Sequence, residues 1–250
     1  MTKARRKSPV QTISTEPDFC SIELRLRILS RLPFFAGLSP KALEAVNALF
    51  VEAGYQPGEV IYTAGSPAER LFVVAEGKVK LLQHAATGNN ILLDILAPGE
   101  FFGSLAPLKP ATYLDSAQAV TPACILSIRS TAFQHVLDQH PELALKTLAI
   151  LGERLQSANQ RVLHLSSLPV ERRIACTLLK LGAKLGRRQE EGLLIDVPLS
   201  REDLADMTAS TPETVSRVMS QFQAGGLIAS GRQWVAIVDQ AKLQALVGEE

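Results

Sequence analysis

The sequence predicts an α+β chain in three parts: an antiparallel β sandwich or barrel, one long helix, and a compact helical unit with a small β-hairpin. Three observations predict it. Short β-branched runs separated by turn residues fill positions 58 to 128. A strict three-and-four alternation of apolar residues follows from Leu148 to Leu165. Near the end, two short helices with caps at Ser200 and Thr211 stand one tight turn apart.

The bulk composition frames these parts. Hydrophobic residues make up 46% of the 250 positions and charged residues 20%, as expected of a globular protein with a core. A formal net charge of +1 decides little, because a basic face can be balanced elsewhere. Cys20, Cys124 and Cys176 are odd in number, widely spaced and without a CxxC pair. That pattern argues against a disulfide framework or a thiolate zinc site and fits a reducing cytoplasm. No apolar run approaches the roughly 20 residues that cross a bilayer. The basic cluster Lys3, Arg5, Arg6 and Lys7 is followed by Ser8, Pro9 and Gln11, not by an apolar signal region. A cytoplasmic chain with no membrane partner is expected.

Residues up to Asp18 lack periodicity and read as a mobile arm, within an arm and lead-in over 1–32. Its cations either touch nucleic acid or are simply solvated. Ser39 and Pro40 open a helix as cap and first residue, with Leu38 placed to staple against Leu43. That helix is expected to run through Leu43, Val46, Leu49 and Phe50. A β domain over 33–140 then takes its strands from Val60–Thr63, Leu71–Val74, Val79–Leu82, Ile91–Leu96 and Cys124–Ile128. The turns between fall at Pro57-Gly58, Gly65-Ser66-Pro67, Glu76-Gly77, Gly88-Asn89-Asn90 and Pro98-Gly99.

Over 141–167, Leu148, Leu151, Leu155, Ala158, Val162 and Leu165 form an a/d seam, with Glu153, Arg154, Gln156, Asn159, Gln160 and Arg161 opposite. Such a helix either joins two copies of the chain or lies on its own domain. Strict spacing and the polar opposite face favour a homodimer. Leu168-Pro169 ends it.

The unit over 168–242 opens with a helix from Glu171 to Leu181, ending near Gly182. A polar loop follows from Gly186 to Gly192, then an extended stretch from Leu193 to Leu199, and a tail over 243–250 closes the chain. Ser200 caps a short helix, with Asp203 as the reciprocal acceptor of a capping box. After a turn at Thr208, Ala209 and Ser210, Thr211 caps a second helix with Pro212 at its first position and Val215, Met219 and Phe222 inward. This is a helix-turn-helix, whose second helix enters the major groove of DNA. Glu213, Ser216 and Arg217 share one exposed stripe of it. Arg217 can pair with guanine O6 and N7, Glu213 can accept from cytosine N4, and Ser216 can meet a thymine or a phosphate. A solvated Glu213–Arg217 ion pair is the plain alternative. Strands at Leu227-Ile228 and Trp234–Val238 make a wing, with Arg232 near its tip in reach of a phosphate.

The stretches Leu199–Ala205 and Thr211–Arg217 closely resemble the Crp/Fnr family of bacterial transcription regulators. Gly58-Glu59-Val60-Ile61, Ala75–Val79 and Pro98–Gly103 look like that family's β-roll, so the resemblance covers about Phe34 to Asp239. It implies a cyclic-nucleotide-binding-like sensor, a dimerisation helix and a winged helix-turn-helix, with double-stranded DNA and RNA polymerase as partners. Ala209 departs from the glycine the family often has in the turn. The E-x-x-S-R pattern is similar to the Fnr branch, which implies TTGA half-sites read by Glu213, Ser216 and Arg217. Ser200, Thr211 and Thr214 would then hold phosphates near helix N-termini.

Effector residues of the family are missing. Cyclic-AMP-binding members carry a glutamate after the β-roll glycine and an Arg-Ser pair; here Ser104 follows Gly103, and Ala111–Ser116 holds no arginine. A cyclic phosphate would lack its cationic partner. An iron–sulfur cluster needs four cysteines, and only Cys20 lies in the arm. Leu105 stands where carbon-monoxide-sensing relatives place a haem histidine, leaving haem open only on His84, His135, His140 or His164. No cofactor is therefore expected. Redox control through Cys20 and control by abundance both remain open. The function expected is a DNA-binding transcription regulator, an activator binding a palindrome. The alternative is a regulatory module whose β-roll gates a protein partner. No phosphate loop or nucleophile elbow points to an enzyme.

Overall fold

A computed structural model describes residues 9–10, 20–84, 90–105, 112–190 and 192–248. The cations Lys3, Arg5, Arg6 and Lys7, the expected turn residues Gly88 and Asn89, Ala111, Glu191 and the side chains of His84 and Asn90 lie outside the described residues. The chain divides into two compact units, one within 13–159 and one built mainly from 160–250.

The first unit begins with α1 (Ile22–Arg31) and α2 (Pro40–Asn47), followed by β1 (Val51–Tyr55), β2 (Val60–Tyr62), β3 (Arg70–Glu76) and β4 (Val79–His84). It continues through β5 (Asn90–Leu96), β6 (Phe101–Gly103), β7 (Ser116–Ala119) and β8 (Ala123–Arg129) to α3 (Ser130–Gln139) and α4 (Pro141–Ser167). Two four-stranded antiparallel sheets result, ordered β1-β8-β3-β6 and β2-β7-β4-β5. The expected β-roll is thus present.

Strand alternation explains the core. On β3 and β8, Leu71, Val73, Cys124, Leu126 and Ile128 face the helices, while Phe72, Val74, Ala123 and Ile125 face the second sheet. A sheet covered on both faces has no polar side, which is why Leu71–Val74 reads as an unbroken apolar run. Gly77 makes the β3–β4 turn at φ +82°, where an added Cβ would strike the Pro122 carbonyl.

The segment expected as a lead-in holds a packed helix. Ser21 caps α1 by accepting from the Leu24 N–H at 3.2 Å. The Arg25 guanidinium fastens it to Glu52 of β1 at 2.6 Å and to the Asn47 and Phe50 carbonyls. In α2, the Ser39 hydroxyl accepts from Ala42 N–H at 3.2 Å with Pro40 at the first position, as expected. That helix stops at Asn47, short of Leu49 and Phe50, because the chain must extend to pair β1 with β8.

A second correction concerns the cysteines. Cys20 and Cys124 are joined by a disulfide, with 6.2 Å between their Cα atoms and 104 residues between them in sequence. Spacing in the chain does not report what α1 brings against β8. Arg154 stays exposed on the polar face of α4, as expected, but its guanidinium folds back onto the first sheet. It donates to the Phe101 carbonyl at 2.7 Å and stands 3.6 Å over the Phe101 ring, and partial desolvation of the guanidinium lowers its pKa.

The second unit contains α5 (Val170–Leu185), β9 (Gly186–Gln189), β10 (Gly192–Ile195), α6 (Arg201–Met207), α7 (Pro212–Ala224), β11 (Ile228–Gly231), β12 (Trp234–Ile237) and α8 (Gln240–Val247). Its sheet runs β11-β12-β10-β9. Three expectations are corrected here. The first helix continues past Gly182 to Leu185; an added Cβ at Gly182 would lie 2.7 Å from Ile237, so the glycine serves close helix–sheet packing. The expected polar loop is partly strand β9, a fully exposed edge whose charged residues give no alternation. The expected tail from 243 belongs to α8, whose Leu243 is fully buried.

Candidate nucleic-acid interface

The helix-turn-helix is assembled by local hydrogen bonds that the sequence encodes. The Ser200 hydroxyl accepts from the Asp203 N–H at 3.0 Å, and the Asp203 carboxylate accepts from the Ser200 N–H at 2.8 Å. This reciprocal box satisfies two orphan donors at the start of α6. At its end, buried Thr208 donates its hydroxyl proton to the Leu204 carbonyl at 2.6 Å. Ala209 then adopts φ +46°, and the Ser210 N–H closes the turn onto the Ala205 carbonyl at 2.9 Å. The turn keeps its left-handed residue although alanine stands there.

Thr211 caps α7, accepting from the Thr214 N–H at 3.3 Å, and Pro212 occupies the first position. Val215, Val218, Met219 and Phe222 are buried, fixing the orientation of the helix. Glu213, Ser216 and Arg217 all fall on its exposed side, together with Thr211, while Thr214 is half-buried. Ser200 is also half-buried. Arg232 is exposed in the two-residue turn between β11 and β12, beside Gln233 at φ +59°. The structure therefore gathers the base-reading candidates on one helix face and puts Arg232 at the tip of the wing.

Sequence reasoning overlooked Arg201. From α6 its Nη2 donates to the Ser230 hydroxyl on β11 at 3.0 Å, and Ser230 donates to Gln223 Oε1 of α7 at 3.2 Å. Burial lowers the Arg201 pKa, yet the guanidinium stays charged. Its position after the Ser200 cap was legible; its reach to a strand 29 residues on was not.

On α4, Leu148, Leu151, Leu155, Val162 and Leu165 are exposed by 37% to 67%, and Ala158 is exposed with them. Leu145, 71% exposed, extends the stripe by one turn. This is a continuous apolar face, not the buried side of a helix lying on its own unit.

Inside the β-roll, four rings fill the space between the sheets. Tyr62 stacks on Tyr113 at 3.9 Å and on Phe72 at 5.4 Å, and Phe72 on Phe102 at 5.2 Å. Tyr62 donates to the Asp115 carboxylate at 2.8 Å, and Tyr113 donates to the Arg70 carbonyl at 3.2 Å. Burial raises the pKa of Asp115 and of both tyrosines. Ser104 takes part in the backbone, its N–H donating to the Arg70 carbonyl at 2.9 Å. Of the histidines considered for haem, His135 lies 3.1 Å from Gln139 and His140 lies 3.3 Å from Glu142. Among the described residues no cluster of three or more His, Cys, Asp or Glu side chains could hold a metal. No described helix is long and apolar enough to cross a membrane.

A β-roll, a long helix with an open apolar stripe, and a winged helix-turn-helix with both helices capped define a DNA-binding transcription regulator. Known proteins agree with that class. Residues 52–140 match the cyclic nucleotide-binding domain and residues 172–246 the Crp-like helix-turn-helix domain. The transcriptional regulator LdrP of Thermus thermophilus is 31% identical over 76% of this chain and 93% of its own length. A CRP-like cAMP-activated global transcriptional regulator of Mycobacterium tuberculosis is 28% identical over 86% of this chain and 96% of its own. The crystal structure of a CRP-family transcriptional regulator from Thermus thermophilus superposes with a TM-score of 0.67 at 29% identity, covering 79% of this chain and 97% of that one. The chain belongs to the Crp/Fnr family of transcription regulators. These relatives are transcriptional regulators.

Proposed function

We propose that this regulator acts as a homodimeric activator that reads a palindrome with TTGA half-sites and recruits RNA polymerase there. The observation that carries the reading is the exposed stripe of Glu213, Ser216 and Arg217 on a helix whose start is fixed by Thr211 and whose other face is buried. Arg217 pairs with guanine, Glu213 with cytosine, and Ser216 with a thymine or phosphate. Ser200, Thr211, Thr214 and Arg232 hold phosphates, which set register without reading sequence. Residues Leu148, Leu151, Leu155, Ala158, Val162 and Leu165 close the dimer. Two-fold symmetry of the protein then demands two-fold symmetry of the site. Recovering bound sequences from random DNA with the full chain tests this. An inverted repeat containing TTGA supports it; direct repeats or unselected sequence would refute it.

Cyclic AMP is not the effector in this reading, although the Mycobacterium tuberculosis relative is cAMP-activated. Asp115, bonded to Tyr62, stands in the stretch where a cyclic phosphate needs a cation, and a carboxylate repels it. The stacked Tyr62, Tyr113, Phe72 and Phe102 rings leave the inner surface of the roll already packed. Calorimetry with cyclic AMP is expected to show no saturable heat; submicromolar binding would overturn the assignment.

A further inference from the structure

We infer that Cys20 and Cys124 form a reversible thiol–disulfide site through which cellular oxidation raises DNA affinity, an inference that rests on the DNA-binding reading above. The geometry for a bond is in place. The Cα atoms are 6.2 Å apart, within the range a disulfide spans, and the two residues are 104 positions apart in the chain. Both sit in the core between the helices and the first sheet, 5% and 6% exposed. Cys124 lies opposite Gly54 in the pairing of β8 with β1.

The compartment makes the bond informative. A protein that binds chromosomal DNA works where thiols are held reduced, and disulfides there are usually transient and redox-sensing. The dithiol is then the resting form and the bond marks oxidation.

Position in the fold supplies the coupling. Cys20 immediately precedes Ser21, the cap of α1, while Cys124 is the second residue of β8. β8 passes directly into α3 at Ser130, and α3 leads through His140 into α4, which bears the exposed seam. Closing the bond pins the start of α1 to the strand that feeds the seam helix. Arg25 holds the next turn of α1 to Glu52, Asn47 and Phe50 in either state, so reduction loosens the first turn without unfolding the helix.

The chemistry balances with a hydroperoxide as oxidant. One thiolate attacks the O–O bond and becomes a sulfenic acid, releasing an alcohol or water. The second thiolate then displaces water from that sulfur and forms the S–S bond. Two electrons pass to the peroxide. A dithiol reductant reverses the step through a mixed disulfide. Cys176 of α5 carries no disulfide and serves as the internal control.

The test uses the full chain, oxidised with hydrogen peroxide or reduced with dithiothreitol, on the DNA site recovered by selection. Alkylation and mass measurement should find one reactive thiol after oxidation and three after reduction. The oxidised form should bind DNA about 5-fold tighter or more, the lower range of coupling between sites. Cys20→Ser and Cys124→Ser should bind like the reduced protein under both conditions, and Cys176→Ser should keep the response. The wild-type comparison needs no variant to fold, and Cys20→Ala supplies a second one without a buried hydroxyl. Equal affinity in the two states, or a response surviving in Cys20→Ala, overturns the inference alone. Absence of specific binding in both states overturns the DNA-binding reading and this inference with it.

Discussion

Arg201 and Ser230 join the first helix of the helix-turn-helix to the wing, Nη2 to Oγ, at 3.0 Å. Through Ser230 the link reaches Gln223 on α7. The wing tip carrying Arg232 is therefore held to both helices by one chain of hydrogen bonds. Arg201→Ala should destabilise the second unit by about 1–2 kcal/mol, the scale of a charge-assisted hydrogen bond that water partly replaces. It should also weaken DNA binding with little change in base preference. Urea unfolding beside a binding titration measures both. Unaltered stability would mean that the wing is oriented by Trp234 and its neighbours alone.

Ala209 adopts φ +46° at the centre of the turn, a left-handed conformation that costs a side-chain-bearing residue about 1–2 kcal/mol. Glycine removes that cost but adds entropy to the unfolded chain. The net expectation for Ala209→Gly is a gain of about 0.5–1 kcal/mol with DNA affinity retained. A fall in the urea midpoint would show that the Cβ makes a contact worth more than the strain.

Asp115 is a carboxylate whose pKa burial raises, even though Tyr62 bonds to it. Folding then favours the protonated form. Stability from this group is fully present below its ordinary pKa of 3.8 and is lost as pH rises through the raised folded value. Asp115→Asn keeps an acceptor for Tyr62 and removes the charge. It should stabilise the protein at pH 7 and change little below pH 3.8. Thermal unfolding across that range is the measurement; an equal shift at both ends would remove the titration from the explanation.

The helix-turn-helix was legible because its determinants are local: Ser200 with Asp203, Thr211 with Pro212, and an apolar face at helical spacing. The long helix α4 and its apolar stripe were legible for the same reason. α1 was not. Ile22, Leu24, Leu26 and Ile28 alternate with Glu23, Arg25 and Arg27, the period of a strand. The Ser21 cap, burial of Ile28 with Leu29, and the Arg25 bonds to a segment 22 to 27 residues away outweigh that pattern. β1 escaped notice because it is a short edge strand, largely exposed and interrupted by Gly54. The Cys20–Cys124 bond and the Arg201–Ser230 link are pairings between distant positions, and neither residue alone announces its partner.

The stripe on α4 leaves Leu151 and Leu155 exposed by 41% and 63% in the single chain. Burying such side chains is favourable by about 1.5–3 kcal/mol each, and two copies bury both sets. Leu151→Asp with Leu155→Asp should therefore yield monomers at micromolar concentration and abolish specific DNA binding. Sedimentation and light scattering read the outcome. A dimer surviving both changes would move the interface to another surface.

Specificity follows from the chemistry of the α7 stripe. With Arg217 exposed six residues beyond the Thr211 cap, within the first two turns of α7, its guanidinium can reach guanine O6 and N7 at once. Arg217→Ala should cost about 1–3 kcal/mol per half-site and relax the preference for guanine. Glu213→Ala should relax discrimination at the adjacent pair with a smaller loss of total affinity, because removing a carboxylate also lifts repulsion from phosphates. Arg232, exposed in the wing turn, has no base edge assigned to it and should act on phosphate. Its change to alanine should weaken all sequences alike and lower the salt slope by about one. Titrations of each variant against the selected site and its single-base changes, at two salt concentrations, separate these roles. If Arg217→Ala weakens every sequence equally while Arg232→Ala alters base preference, the wing reads the bases and α7 only anchors the protein.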